Sequence, residues 1–167
     1  MLIKSGHSVG LGDEDGFAPN LRLPEEALDV LVRAIEAAGY TAARDGVAIA
    51  LDPAASQFRH RDGDYRIAGG HCDSAGLVAR YAQLVRDYPI WSIEDGMGED
   101  DPAGWRLLYA ELGDRVQIMG DDLFVTNAAL IADGARDAMA NSALIKLNQV
   151  ARSPRRCRRS GPAARTA

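Results

Sequence analysis

Four short apolar runs in this chain each end in an ionisable residue. They are Val47-Ala-Ile-Ala-Leu-Asp52, Ile90-Trp-Ser-Ile-Glu94, Val116-Gln-Ile-Met-Gly-Asp121 and Ser142-Ala-Leu-Ile-Lys146. Stretches with helical periodicity lie between them. Alternating strands and helices restrict a chain to a parallel sheet with crossover connections. In a parallel α/β barrel all strands point their C-terminal ends at one mouth, where the chemistry sits. Three acids and one amine are therefore expected to meet there, as a metal site with a base beside it.

The intervening segments carry helix signals. Pro24 fits a first helical turn, and Leu28, Leu31, Val32 and Ile35 share one face before Gly39. Asp62-Gly63-Asp64 marks a turn, with Tyr65 to Ile67 as a short hairpin arm. Asp73 or Ser74 caps a helix with the stripe Leu77, Val78, Tyr81, Leu84 and Val85, broken at Pro89. Pro102 opens another, with Trp105, Leu108 and Leu112 inside and Gly113 beyond. Asn127 caps the last, through Leu130, Ile131 and Ala135 to about Met139. The strands span 47–52, 90–94, 116–120 and 142–147. Their apolar runs predict burial on both faces, and both tryptophans read as core.

A chain of 167 residues, 47% of them hydrophobic, suits one domain. The longest apolar runs fall short of a membrane span, and the N-terminus lacks a signal-peptide layout. Cys72 and Cys157 form no disulfide framework, so a cytoplasmic location is expected. Residues 151–167 hold six arginines and no acid; the other 150 carry 13 basic against 24 acidic side chains. Such an acidic body argues against nucleic-acid partners. The last 17 residues have no periodicity, and disorder is expected there.

Asp52, Glu94 and Asp121 are hard oxygen ligands of the kind Mg2+ takes, with water and substrate filling its octahedron. Their spacings of 42 and 27 residues, and the 25 to Lys146, fit one βα unit each, the first enlarged by the hairpin. Cations and burial can lower a lysine pKa, so Lys146 is expected to act as a neutral base. Singly, each group has a plainer reading: a turn aspartate, a surface lysine, a loop acid at Glu14. The joint pattern carries the inference.

Five local sequences then point to a family. Gly12-Asp-Glu-Asp-Gly-Phe-Ala-Pro-Asn20, Ala50-Leu-Asp-Pro-Ala-Ala-Ser56, Ser92-Ile-Glu-Asp-Gly96, Gly120-Asp-Asp-Leu-Phe-Val-Thr-Asn127 and Leu144-Ile-Lys-Leu-Asn-Gln149 closely resemble enolase, phosphopyruvate hydratase, from about Gly6 to Val150. The resemblance implies a partial (β/α)8 TIM-type barrel of roughly four parallel strands with flanking helices over residues 1–150. It implies a lyase that dehydrates 2-phosphoglycerate to phosphoenolpyruvate in glycolysis and gluconeogenesis, with Mg2+ as cofactor. Matched motif by motif, Asp52, Glu94 and Asp121 are the metal ligands. Lys146 is the base that removes the C2 proton, and Glu14 the acid that helps the hydroxyl leave. Glu14, Glu94, Asp121 and Lys146 also meet the substrate. Lysine with magnesium is the general enolase-superfamily arrangement, and the spacings alone do not derive it. The family is homo-oligomeric, and some members occur at the cell surface.

The chain also departs from the family pattern. Asp15 stands where the acid loop has a glycine, a poor substitute if that position needs a positive φ. The resemblance covers neither the first two nor the last two barrel strands, so the chain alone is expected to be inactive. A non-catalytic metal-binding fragment or pseudogene product is the alternative, and a half-barrel needing a complementary piece a third. After Gln149 the family continues with a stretch like Val-Gly-Thr-Leu-Thr-Glu-Thr-Leu. GC-rich codons for that stretch, less one base, read Val-Ala-Arg-Ser-Pro-Arg-Arg, as Val150 to Arg156 do here. Residues 151–167 are therefore expected to be an out-of-frame tail.

Overall fold

The structure, a computed structural model, describes residues 2–12, 15–67 and 70–150, with only the backbone of Val150. The expected disordered, out-of-frame tail at 151–167 lies outside the described residues.

Among the described residues, six strands and five α-helices follow one another. They are α1 (Pro24–Ala37), β1 (Ile49–Leu51), β2 (Tyr65–Ile67), β3 (Gly70–Cys72), α2 (Ser74–Asp87) and β4 (Ile90–Glu94), then α3 (Pro102–Leu112), β5 (Gln117–Gly120), α4 (Ala128–Arg136), β6 (Ser142–Ala143) and α5 (Leu147–Val150). β1, β4, β5 and β6 form one parallel sheet in that order, while β2 and β3 pair as an antiparallel hairpin. The sheet is an unclosed sector of an α/β barrel.

Local chemistry explains the helix starts. Asp73, rather than Ser74, caps α2 by accepting the Gly76 N–H at 2.8 Å. Asp101 does the same for α3 through Gly104, with Pro102 in the first turn. Asn127 accepts the Ala129 N–H at 3.0 Å ahead of α4. Each cap satisfies a donor that the helix leaves orphaned.

Register gives the sheet two unlike faces. Leu51, Ile93 and Ile118 pair across strands and so share one face. Ile93 and Ile118 are fully buried in a cluster with Leu77, Tyr81, Trp105 and Leu108 of α2 and α3. Ala50, Ser92 and Gln117 pair on the other face, as do Glu94, Met119 and Ser142 one step on. There Ala50 and Gln117 are exposed, and Glu94, Met119 and Ser142 half-buried. Ile90 and Ser92, which alternate with Ile93 along β4, are buried on this second face too, so the expectation of burial on both faces holds for β4 and fails at Ala50 and Gln117.

Several other expectations are corrected. Trp105 is core, but Trp91 is 46% exposed, with the Arg44 guanidinium over its ring. Leu31 of α1 is exposed and lines an open apolar groove with Val9, Phe17 and Leu23. In α4 the buried residue is Gly134, while Leu130 and Ala135 are exposed. The cause is Phe124, whose ring lies so close to Gly134 that a Cβ there would come within 2.4 Å of it. Gly120, at the end of β5, meets the same ring from another side. β6 is only two residues long, although Leu144 still donates its N–H to Gly120 O at 3.1 Å. The run into it is held by Asn141, whose side chain accepts the Ile118 N–H and donates to Gly113 O. Among the described residues, no helix is long and apolar enough to cross a membrane.

Candidate metal centre

The C-terminal ends of the parallel strands do gather their ionisable residues. Asp52 follows β1 and accepts the Ala54 N–H at 3.1 Å through Oδ1. Glu94 is the last residue of β4. Burial pushes its carboxyl above the usual range, the charges of Asp52, Asp121 and Asp95 push it further, and Lys146 pulls it back. A carboxyl on β4 thus feels the groups expected at the ends of β1, β5 and β6.

Asp121, directly after β5, is 7% exposed. Its Oδ2 accepts from Lys146 Nζ, and its buried Oδ1 has no hydrogen-bond partner. A buried carboxylate oxygen without a donor is costly unless something positive meets it. Lys146 does not show the lowered pKa expected from the sequence. Its bond to Asp121 is the main cause of a pKa above the ordinary value; partial burial opposes it, and Asp121, Asp122 and Glu94 add their charges. The acids around it thus favour the protonated lysine.

The supporting residues were less visible in the sequence. Thr126 Oγ1 accepts the Lys146 N–H at 3.0 Å and donates to Gln149 Oε1 at 2.7 Å. To do so, Val125 and Thr126 both adopt positive φ, 41° and 56°, which β-branched residues rarely do. Asp95, beside Glu94, also has a positive φ, 42°, and is 6% exposed. Carboxylate oxygens of Asp95, Asp121 and Asp122 lie within 4.8 Å of one another, a group that can hold a metal ion and that differs from the Asp52, Glu94 and Asp121 set expected. The only sequence signal for Asp95 and Asp122 was a second acid beside a first.

Glu14 lies outside the described residues. The loop around it is closed by a bridge between Leu11 and Phe17 and by Gly12 N–H donating to Gly16 O at 2.8 Å. Asp15 has a φ of 61°. The position does require the left-handed region, and aspartate adopts it more readily than most residues other than glycine.

The family model described as "Enolase, C-terminal TIM barrel domain" matches residues 2–154. The chain belongs to the enolase family. It is 50% identical over 152 residues to an enolase of Helicobacter hepaticus and 49% identical over 152 to one of a Nitratiruptor species. To an enolase of Anaplasma marginale it is 52% identical over 151. Each match covers 90% of this chain and 34–36% of the relative, so the chain spans about a third of the length of these curated enolases.

Proposed function

We propose that these residues form the metal-and-base wall of an enolase site, which dehydrates 2-phosphoglycerate to phosphoenolpyruvate in cytoplasmic glycolysis and gluconeogenesis. The observation that carries the reading is the convergence at Glu94: its carboxyl responds to Asp52, Asp121 and Lys146 from three other strand ends. Family membership gives the reaction class. In this reading residues 1–150 are a partial barrel domain and residues 151–167 an appended tail.

Asp52, Glu94 and Asp121 fit Mg2+ as ligands. They are hard oxygen donors, one of them offers a buried and unpartnered oxygen, and their mutual repulsion favours a positive charge among them. When bound, the cation supplies charge stabilisation for the anion that forms as the C2 proton leaves. Lys146 takes that proton on Nζ, and Glu14 gives a proton to the departing C3 hydroxyl, so one water leaves for each C=C bond formed. Lys146 serves as a base only once Asp121 no longer holds its proton in place. The two residues are therefore linked: whatever claims Asp121 also frees the lysine.

The 167-residue chain by itself is inactive in this reading. β1 and β6 have unpaired edges among the described residues. A chimera tests the reading. Residues 2–150 replace the matching segment of the Helicobacter hepaticus enolase, and ultraviolet absorbance of the conjugated product follows turnover. The chimera is expected to be active, with Lys146→Ala reducing the rate about 10²–10⁴-fold. A folded chimera without turnover beside an active parent sinks the assignment. Lys146-dependent turnover by the isolated chain removes the claim that it is inactive alone.

A further inference from the structure

The close grouping of Asp95, Asp121 and Asp122 invites the conclusion that all three hold the cation. The hydrogen bonds say otherwise for Asp95. Its Oδ1 accepts the Asp121 N–H at 3.0 Å, and its Oδ2 accepts the Asp122 N–H at 2.9 Å. Both oxygens are thus already engaged by two consecutive backbone amides, which form a concave seat for an anion. By contrast, Asp121 Oδ1 is buried and unpartnered.

The Asp95 backbone is tied down as well. Its N–H donates to Met119 O at 2.9 Å, and its carbonyl accepts the Ala55 N–H at 2.9 Å. One residue therefore joins the turn after β1, the end of β4 and the turn after β5. Those are the three places that present Asp52, Glu94 and Asp121. Its positive φ lets one side chain face the two amides while its neighbour Glu94 stays in the strand.

We infer that Asp95 is a positioning residue and not a cation ligand: its carboxylate grips the Asp121–Asp122 backbone and so aims Asp121 into the site. The inference rests on the proposed reading only in naming Asp121 as a ligand. The chemistry demands a carboxylate. Two donors need two acceptor oxygens, and asparagine offers one oxygen plus an N–H group that would face a backbone N–H.

Amide hydrogen exchange on the full 167-residue chain, followed by NMR with and without MgCl2, tests it. In the wild type the Asp121 and Asp122 amides are expected to be protected and to stay so when Mg2+ is added. In Asp95→Asn their protection falls at least about tenfold more than that of the Ile118 amide, which bonds to Asn141 instead. Mg2+ affinity, read from the Mg2+ concentration that shifts the Asp121 resonance, falls about 10–100-fold in Asp95→Asn, as loss of a ligand's support does. Ser74→Ala, a fold-loosening control that removes a bond to Asp101 instead, keeps that affinity within about threefold.

Unprotected amides in the wild type overturn the inference, as does equal protection in Asp95→Asn. So does a tenfold loss of protection on adding Mg2+, because the carboxylate has then left the amides for the cation. If Asp95→Asn does not fold, this wild-type Mg2+ comparison decides alone. Failure of the wild type to bind Mg2+, with the amides protected and dependent on Asp95, would instead defeat the metal-site reading and leave the clamp standing.

Discussion

Asp95 and Asp101 stand at the two ends of the loop between β4 and α3, and both are only 6% exposed. Their surroundings differ. Asp101 accepts from Tyr65 Oη at 2.8 Å and Ser74 Oγ at 2.6 Å, both on Oδ2, and from the Gly104 N–H at 2.9 Å on Oδ1. Burial pushes its carboxyl up, but those bonds and the nearby Arg59 charge outweigh burial and hold it below the usual range. Asp95 accepts two backbone N–H groups, yet burial together with the charges of Asp122 and Asp121 keeps its carboxyl above the usual range. At equal exposure, the fold hub compensates its charge, whereas the site accumulates more acids than Lys146 offsets. Such accumulation disfavours the apo fold and favours whatever cation arrives.

The largest expected effect falls on the compensated side. Asp101→Asn weakens the bonds that join the β2–β3 hairpin, α2 and α3, and leaves the buried Tyr65 hydroxyl and the half-buried Ser74 hydroxyl short of acceptors. A loss of about 3 kcal/mol is expected in urea unfolding at neutral pH. The pH dependence follows from the lowered pKa. Asp101 stabilises the fold fully above its unfolded value near ~3.9, and this contribution disappears as pH falls through the folded value. The gap between wild type and Asp101→Asn should therefore close in acid. A gap that stays constant below about pH 3 would break the comparison.

Mg2+ should distinguish the two regions next. At a hundredfold excess over its dissociation constant, a cation that binds only the folded chain adds about 2.7 kcal/mol. Asp101→Asn should keep this increment, since the hub is not part of the wall. Asp121→Asn should lose most of it. An equal increment in both variants would mean that the ion sits elsewhere.

The contrast also bears on what could be read from the chain. The helix starts were legible because capping is local: Pro24, Asp73, Pro102 and Asn127 act within a few residues of themselves. The strand Ile90–Glu94 was legible because its apolar run is bounded by Pro89 and by acids. Convergence of Asp52, Glu94, Asp121 and Lys146 followed from topology, since successive parallel strands put their ends together. Asp101 was not legible as a hub, because its hydroxyl partners lie 36 and 27 residues earlier in the chain. Nor was the state of Lys146, because its raised pKa comes mainly from the bond to Asp121, 25 residues earlier in the chain. The inward turn of Gly134 was hidden too; it depends on where the Phe124 ring lies, which no helical stripe encodes.

Phe124 therefore gives a test of intermediate size on the site side. It is 2% exposed between Gly120 and Gly134, and a methyl group at Gly134 would come within 2.4 Å of the ring. Gly134→Ala improves helix propensity by up to about 1 kcal/mol but forces the ring away. A net loss of about 1–2 kcal/mol in urea unfolding is expected. Because Phe124 follows the Asp121–Asp122 turn, the Mg2+ increment should shrink too, unlike in Asp101→Asn. A stabilised variant would show that the ring has room to move and that the turn is not held from behind.

Thr126→Val is the smallest and most selective probe. It keeps the β-branched shape, and so any cost of the positive φ, while removing the hydroxyl that bonds the Lys146 N–H and Gln149. About 1 kcal/mol of stability should go, the ordinary worth of a partly buried hydrogen bond. The larger consequence should appear in the chimera, as a lower rate with little change in substrate affinity, because Lys146 is displaced while the acids stay in place. An equal fall in rate for Thr126→Ser, which keeps the hydroxyl, would assign the effect to backbone strain. A rate restored by serine would show that one hydroxyl sets where the lysine stands.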